Sequence, residues 1–157
     1  PEVRSTMSRP ERPRRAAFRV FRPLQTRWMD NDVYGHVNNV VYYSYFDTAV
    51  NGWYVDEGLL EIAASPTIGL VVETSCAYFE SVAFPDALEA GIAVARLGTS
   101  SVTYAIGIFK AGADEAAAAG RFTHVFVARE SQRPTPIPPD TRAALERLRG
   151  APASPSA

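Results

Sequence analysis

The chain has 157 residues, 46% of them hydrophobic and 21% charged. That is enough for one domain burying about two-thirds of the surface its unfolded chain exposes, and the usage is that of an ordinary globular protein rather than a disordered one. A net charge of -1 gives no global field that would gather a polyanion, so nucleic acid is not an expected partner.

Five of the first fifteen residues are arginine (Arg4, Arg9, Arg12, Arg14 and Arg15), without the interleaved aromatics that single-strand binders use for stacking. No apolar run of signal type follows them, and no window approaches the ~18 apolar residues of a membrane span. The expectation is a cytoplasmic protein with no membrane partner. Residues 1–15 and 149–157 are rich in Pro, Arg, Ser and Ala and bury little, so both read as flexible tails around one folded unit, 16–148.

Phe18 and Val20 alternate with Arg19, which predicts a first strand over 17–28. The turn-forming run Asp30-Asn31-Asp32-Val33-Tyr34-Gly35 follows. It leads into a helix with Asn38 or Asn39 as N-cap, apolar positions Val41, Tyr45, Ala49 and Trp53 at helical spacing, and Gly58 as the stop. Its apolar surface is too wide for a surface helix, so most of it should be buried. Gly52 in its interior suggests the close approach of another backbone.

Four β-type runs come next, over 68–79, 86–97, 101–110 and 121–130, with two-residue alternation that predicts antiparallel pairing. Residues 111–119 read as a hairpin loop with room for a short helical turn. A Pro-rich exit then leads to a short helix over 141–148. One strand, one buried helix and four long strands make an α+β domain in which an antiparallel five-stranded sheet wraps around a long central helix.

The segment Arg27-Trp28-Met29-Asp30-Asn31-Asp32-Val33-Tyr34-Gly35-His36-Val37-Asn38-Asn39-Val40-Val41-Tyr42 resembles the active-site segment of the 4-hydroxybenzoyl-CoA thioesterase-like hotdog family, which shows an Asp-x-Asp-x-x-Gly turn before its helix. The run His36 to Asn39, with an Asp four residues before the His, is also similar to that of plant acyl-carrier-protein thioesterases. The likeness covers roughly 18–148. It implies a hotdog fold, a catalytic Asp32, a backbone N–H near Asn39 facing the thioester oxygen, and an acyl-CoA or acyl-carrier-protein substrate. It also implies no cofactor, and a homodimer or homotetramer with sites between subunits whose sheets join edge to edge.

The residue chemistry is compatible. A helix N-terminus presents unpaired N–H groups with a partial positive charge, which can stabilise the oxyanion of an attacked thioester. A carboxylate such as that of Asp32 can activate a water or attack the carbonyl itself, and residue type leaves both open. His36 is a candidate for orienting the water or Asp32, or for a plain backbone hydrogen bond. Tyr34, Gly35, Asn38 and Tyr42 complete the expected substrate-binding set, and Asp30 reads as a turn residue.

His124 sits within a strand and reads as a core histidine, and Cys76 as a small buried thiol. Arg96, Lys110, Arg121 and Arg129 read as solvated surface, with CoA phosphates as the alternative. No His or Cys spacing suits a metal, and no Gly-rich phosphate loop or Gly-x-Ser-x-Gly elbow occurs. Two other readings stay open: a non-catalytic acyl-CoA or acyl-carrier-protein binding module, and a hotdog enoyl-CoA hydratase, whose Asp would stand five residues before the His rather than four.

Overall fold

The computed structural model describes residues 10–150. Five strands, β1 (Val20–Gln25), β2 (Thr67–Tyr78), β3 (Ala87–Leu97), β4 (Ser101–Lys110) and β5 (Ala118–Ala128), form one antiparallel sheet in the order β1-β3-β4-β5-β2. Helix α1 (Val41–Asp56) has 16 residues, and α2 (Pro139–Arg147) has 9. No helix among the described residues is long and apolar enough to cross a membrane.

The alternation of Leu88, Ala90, Ile92 and Val94 on β3, and of Val102, Tyr104, Ile106 and Ile108 on β4, puts one side chain in two on the face that packs α1. From α1, Tyr42, Tyr45, Phe46, Ala49, Val50, Trp53 and Tyr54 enter the same core, spaced as one helical face. The outer part of that helix stays open, with Val40 and Val55 exposed. Gly52 meets the Arg22 guanidinium, where an added Cβ would lie 2.8 Å from Nη2. The close neighbour there is thus a side chain and not the expected backbone.

The first strand is shorter than the predicted 17–28. Residues 15–17 and 28–30 are single 3-10 turns. Phe18 points to the sheet's outer face, and Trp28 is 81% exposed. The alanine run does not turn into a helix. Ala117 N–H donates to Ile108 O, and β5 begins at Ala118, so the hairpin loop closes within 111–115 around Gly112, whose φ is +80°.

Residues 10–15, expected within a flexible tail, are anchored. Ala116 N–H donates to Pro13 O and Arg15 N–H to Asp114 O. Arg12 pairs with Glu80, and Arg15 with Glu89, each at 2.8 Å. This strap leads into a small second core, in which Phe18 packs with Phe109, Ala93 and Ala116 against the outer sheet face. Residues 1–9 and 151–157, the remainder of the two expected tails, lie outside the described residues. At the other end Arg149 bridges Val94 and Gly150 N–H donates to Val94 O, so the chain still runs along β3 there.

Candidate active site

The turn before α1 is built by its own polar side chains. Asn31 and Val37 pair as an antiparallel bridge, Asp32 N–H donates to His36 O, and Gly35 N–H donates to Asp32 O. Asp32 Oδ1 accepts the Tyr34 N–H at 2.8 Å, and Gly35 takes the positive φ of +81° that closes the loop. Asn31 Oδ1 receives the Phe84 N–H, and Val37 N–H reaches Val82 O, so the turn is stitched to the segment between β2 and β3.

Asp30 is the anchor beneath it. It is 1% exposed and accepts bonds from the Arg27 side chain, the Arg27 N–H and the Tyr45 hydroxyl on α1, the last at 2.7 Å. Burial works to raise its pKa, but those donors together outweigh burial and hold the carboxyl below its ordinary value. Its structural reading from the sequence therefore fits its place.

The N-cap position falls to Val40 rather than to the expected Asn38 or Asn39, and no side chain caps the helix; Asn38 Oδ1 instead accepts the N–H of Val40 itself, at 3.1 Å. The N–H groups of Val37, Asn38, Val40 and Val41 all have partners. That of Asn39 has none among the described residues, and Asn39 lines an open cleft of about 340 Å³.

The same cleft brings together Asp32, His36 and Tyr42. Tyr34 is 81% exposed beside it, Gly35 contributes its backbone turn, and the Asn38 side chain is engaged with the Val40 N–H, and none of these three forms its wall. The opposite wall comes from Tyr78 and the residues that follow it, notably Glu80, which sequence reasoning did not single out. Tyr78 donates its hydroxyl to Asn39 O at 2.9 Å, across 39 residues of chain, and its ring meets that of Tyr42 edge-on at 5.0 Å.

Burial, and then the neighbouring Cys76, push the Tyr42 hydroxyl up to about 12. Burial raises Tyr78 as well, so both hydroxyls stay protonated and neutral at physiological pH. Glu80 is held below the usual carboxylate range, first by its hydrogen bond to Lys110 and further by Arg12. Lys110 and Arg12 thus meet at Glu80 in the cleft wall, and Arg12 pairs with Glu115 as well.

Of the other candidate phosphate binders, Arg129 is occupied with the Ser65 and Ile62 carbonyls, while Arg96 and Arg121 are exposed. Cys76 is half-buried, its thiol pushed up to about 11 by burial. His124 is 2% exposed, inside the core as its strand position predicts. Among the described residues no group of three or more His, Cys, Asp or Glu side chains is placed to hold a metal ion.

The chain is similar to several solved proteins. The PA5185 protein from Pseudomonas aeruginosa is 54% identical, with 90% of this chain and 99% of that one covered and a TM-score of 0.87. PA2801, a putative thioesterase from the same organism, is 28% identical over 80% of this chain and 96% of its own, with a TM-score of 0.73. A 1,4-dihydroxy-2-naphthoyl-CoA thioesterase from Synechocystis, at 19% identity, shares the fold over 82% of this chain and 96% of its own, with a TM-score of 0.73. No protein of curated function matches the sequence. The five-stranded sheet and its helix are those of the hotdog thioesterases, and the thioesterase-like superfamily matches residues 26–145, well over half of the chain. The chain belongs to the thioesterase-like superfamily.

Proposed function

We propose that this protein is an acyl-CoA thioesterase in which Asp32 is the catalytic carboxylate and the Asn39 N–H is the oxyanion donor. The observation that carries the reading is the meeting of the two in one cleft at the start of α1. There a carboxylate with one oxygen held by Tyr34 N–H faces the open space, and a single backbone donor has been left uncommitted. Membership of the thioesterase-like superfamily and 28% identity to a putative thioesterase support the reaction class.

In this scheme the thioester carbonyl oxygen accepts the Asn39 N–H, aided by the positive end of the α1 dipole. Asp32 takes a proton from a water whose oxygen attacks the carbonyl carbon. The tetrahedral intermediate collapses with cleavage of the C–S bond, and the thiolate leaves with the proton. Direct attack by Asp32, giving a mixed anhydride that water then opens, uses the same groups. His36, in the cleft wall, is placed to orient the water. The neutral Tyr42 hydroxyl supplies a polar contact for the acyl portion, and Tyr34, Gly35 and Asn38 shape the turn against which the substrate lies.

The proposed assembly is a homodimer joined through β2. This edge strand runs for 12 residues and leaves Leu70, Val71 and Val72 exposed, a pairing liability that a second copy would remove.

The test is thiol release across a panel of short, long and aromatic acyl-CoA thioesters. Wild type should turn over at least one of them, and Asp32→Asn should fall a hundredfold or more, roughly the contribution of a lost general base. Equal rates in the two proteins would remove Asp32 from the mechanism. An inactive wild type that still binds acyl-CoA would leave a binding module.

A further inference from the structure

We propose a second binding site, at the far end of α1 from the Asp32 cleft, that takes a neutral alcohol of two or three carbons through the His124 imidazole. The two places are separate. Tyr42 lines the cleft and Tyr54 lines the second cavity, and the stretch of helix between them spans about 18 Å. The second site does not depend on the thioesterase chemistry of the first.

The cavity has a volume of about 40 Å³ and lies where the end of α1 meets the start of β2 and the start of α2. At roughly 10–15 Å³ for each water-sized position, it offers about three of them, too few for an aromatic ring and enough for a short chain. His124, itself 2% exposed, forms part of the wall, and its Nδ1 has no hydrogen-bond partner among the described residues. Gly69 lines the cavity too, and a Cβ there would lie 2.9 Å from Nδ1. The space beside that nitrogen is therefore open because position 69 is glycine. A buried polar atom left unpaired is costly, and a ligand that bonds it recovers that cost.

The chemistry of the wall selects the ligand. Among the described residues no charged side chain lines it, and burial keeps the imidazole neutral by lowering its pKa to about 4. A charged ligand would lose its hydration with nothing to replace it. A hydroxyl suits a neutral imidazole in either tautomer, since it donates to a bare Nδ1 and accepts from a protonated one. Asn51 and Tyr54 are already engaged, the first donating to Asp47 and the second bonded to the Tyr104 hydroxyl. Water needs two to four polar partners, and the side chains of Leu59, Leu60 and Ile68 supply none. An alcohol needs only one, and its carbons bury against those three side chains.

In the nitrogen-15-labelled full chain at pH 7, 1-propanol should shift the His124 Nδ1 resonance along a saturating curve. The dissociation constant should be on the order of millimolar, as befits so few non-hydrogen atoms. His36, in the wall of the other cleft, is the internal reference and should not move. Propionate, which is charged, and 1-chloropropane, which lacks the hydroxyl, should both leave His124 unshifted. Gly69→Ala puts a methyl group beside Nδ1, and Leu60→Trp fills the same cavity from a half-buried position should the first variant fold poorly. Each should weaken binding tenfold or more.

A shift that grows in proportion to the alcohol without saturating, or one that His36 shares, is a solvent effect and overturns the site. Wild-type affinity in either variant that folds does the same. Equal binding of 1-chloropropane would remove the hydroxyl from the recognition and sink the proposal.

Discussion

His124 carries an imidazole into an aromatic cage. Tyr54 from α1, Tyr104 from β4, and Phe122 and Phe126 from its own strand surround the ring, with Gly69 of β2 against its Nδ1. Among the described residues no carboxylate faces it, and Nδ1 has no hydrogen-bond partner. Burial accordingly lowers its pKa from 6.5 to about 4. Between those values the unfolded chain binds a proton that the folded chain refuses. The stability is therefore whole above about pH 6.5 and drains away as the pH falls toward 4, by about 2 kcal/mol at pH 5. Urea titrations at pH 7 and pH 5 should show that loss in wild type and a much flatter response in His124→Phe. Asp30 contributes little in this window, because its donors hold it ionised to lower pH.

At the level of elements, close approach of strands is set by glycine. Gly120 on β5 pairs with Cys76, and a Cβ there would collide with the Ser75 carbonyl oxygen while also lying 2.9 Å from the Phe46 ring. Gly120→Ala should therefore cost at least about 2 kcal/mol of unfolding free energy, visible as a lowered denaturant midpoint with an unchanged slope. The turn and the buried helix were legible in the sequence because they lie within one local stretch, in which resemblance to a known family singled out Asp32, His36, Asn39 and Tyr42. Tyr78 and Glu80 were not, since their place depends on how β2 registers on β5, and that register carries a shift between Val71 and Glu73. The outward turn of Phe18 was hidden for a similar reason. It fills a slot opened by Gly91 on β3 and Gly107 on β4, two glycines brought side by side only by pairing.

For the whole molecule, the outer sheet face is partly occupied by the chain's own strap. Arg15 lies over the rings of Phe21 and Phe109, at 4.5 and 5.2 Å, and closes the second core from solvent. The free edge of β2 remains open, and the proposed dimer uses it. Val72→Lys puts a charge at a position 60% exposed in the single chain. Under the β2 pairing it should shift sedimentation from dimer toward monomer, whereas an unchanged sedimentation coefficient would rule that pairing out.

The two edges of the sheet are chemically unequal. β2 offers a long run of backbone without proline, whereas β1 has only 6 residues and carries Pro23 in its middle. Proline has no N–H to give a neighbouring strand. When two copies meet β2 to β2, each outward end of the shared sheet is a β1 edge, short and interrupted, that offers a third copy little to extend. In the proposed dimer, growth along the hydrogen-bonding direction would stop at a pair, which would spare the protein the open-ended polymerisation to which a sheet with two equally receptive margins is exposed.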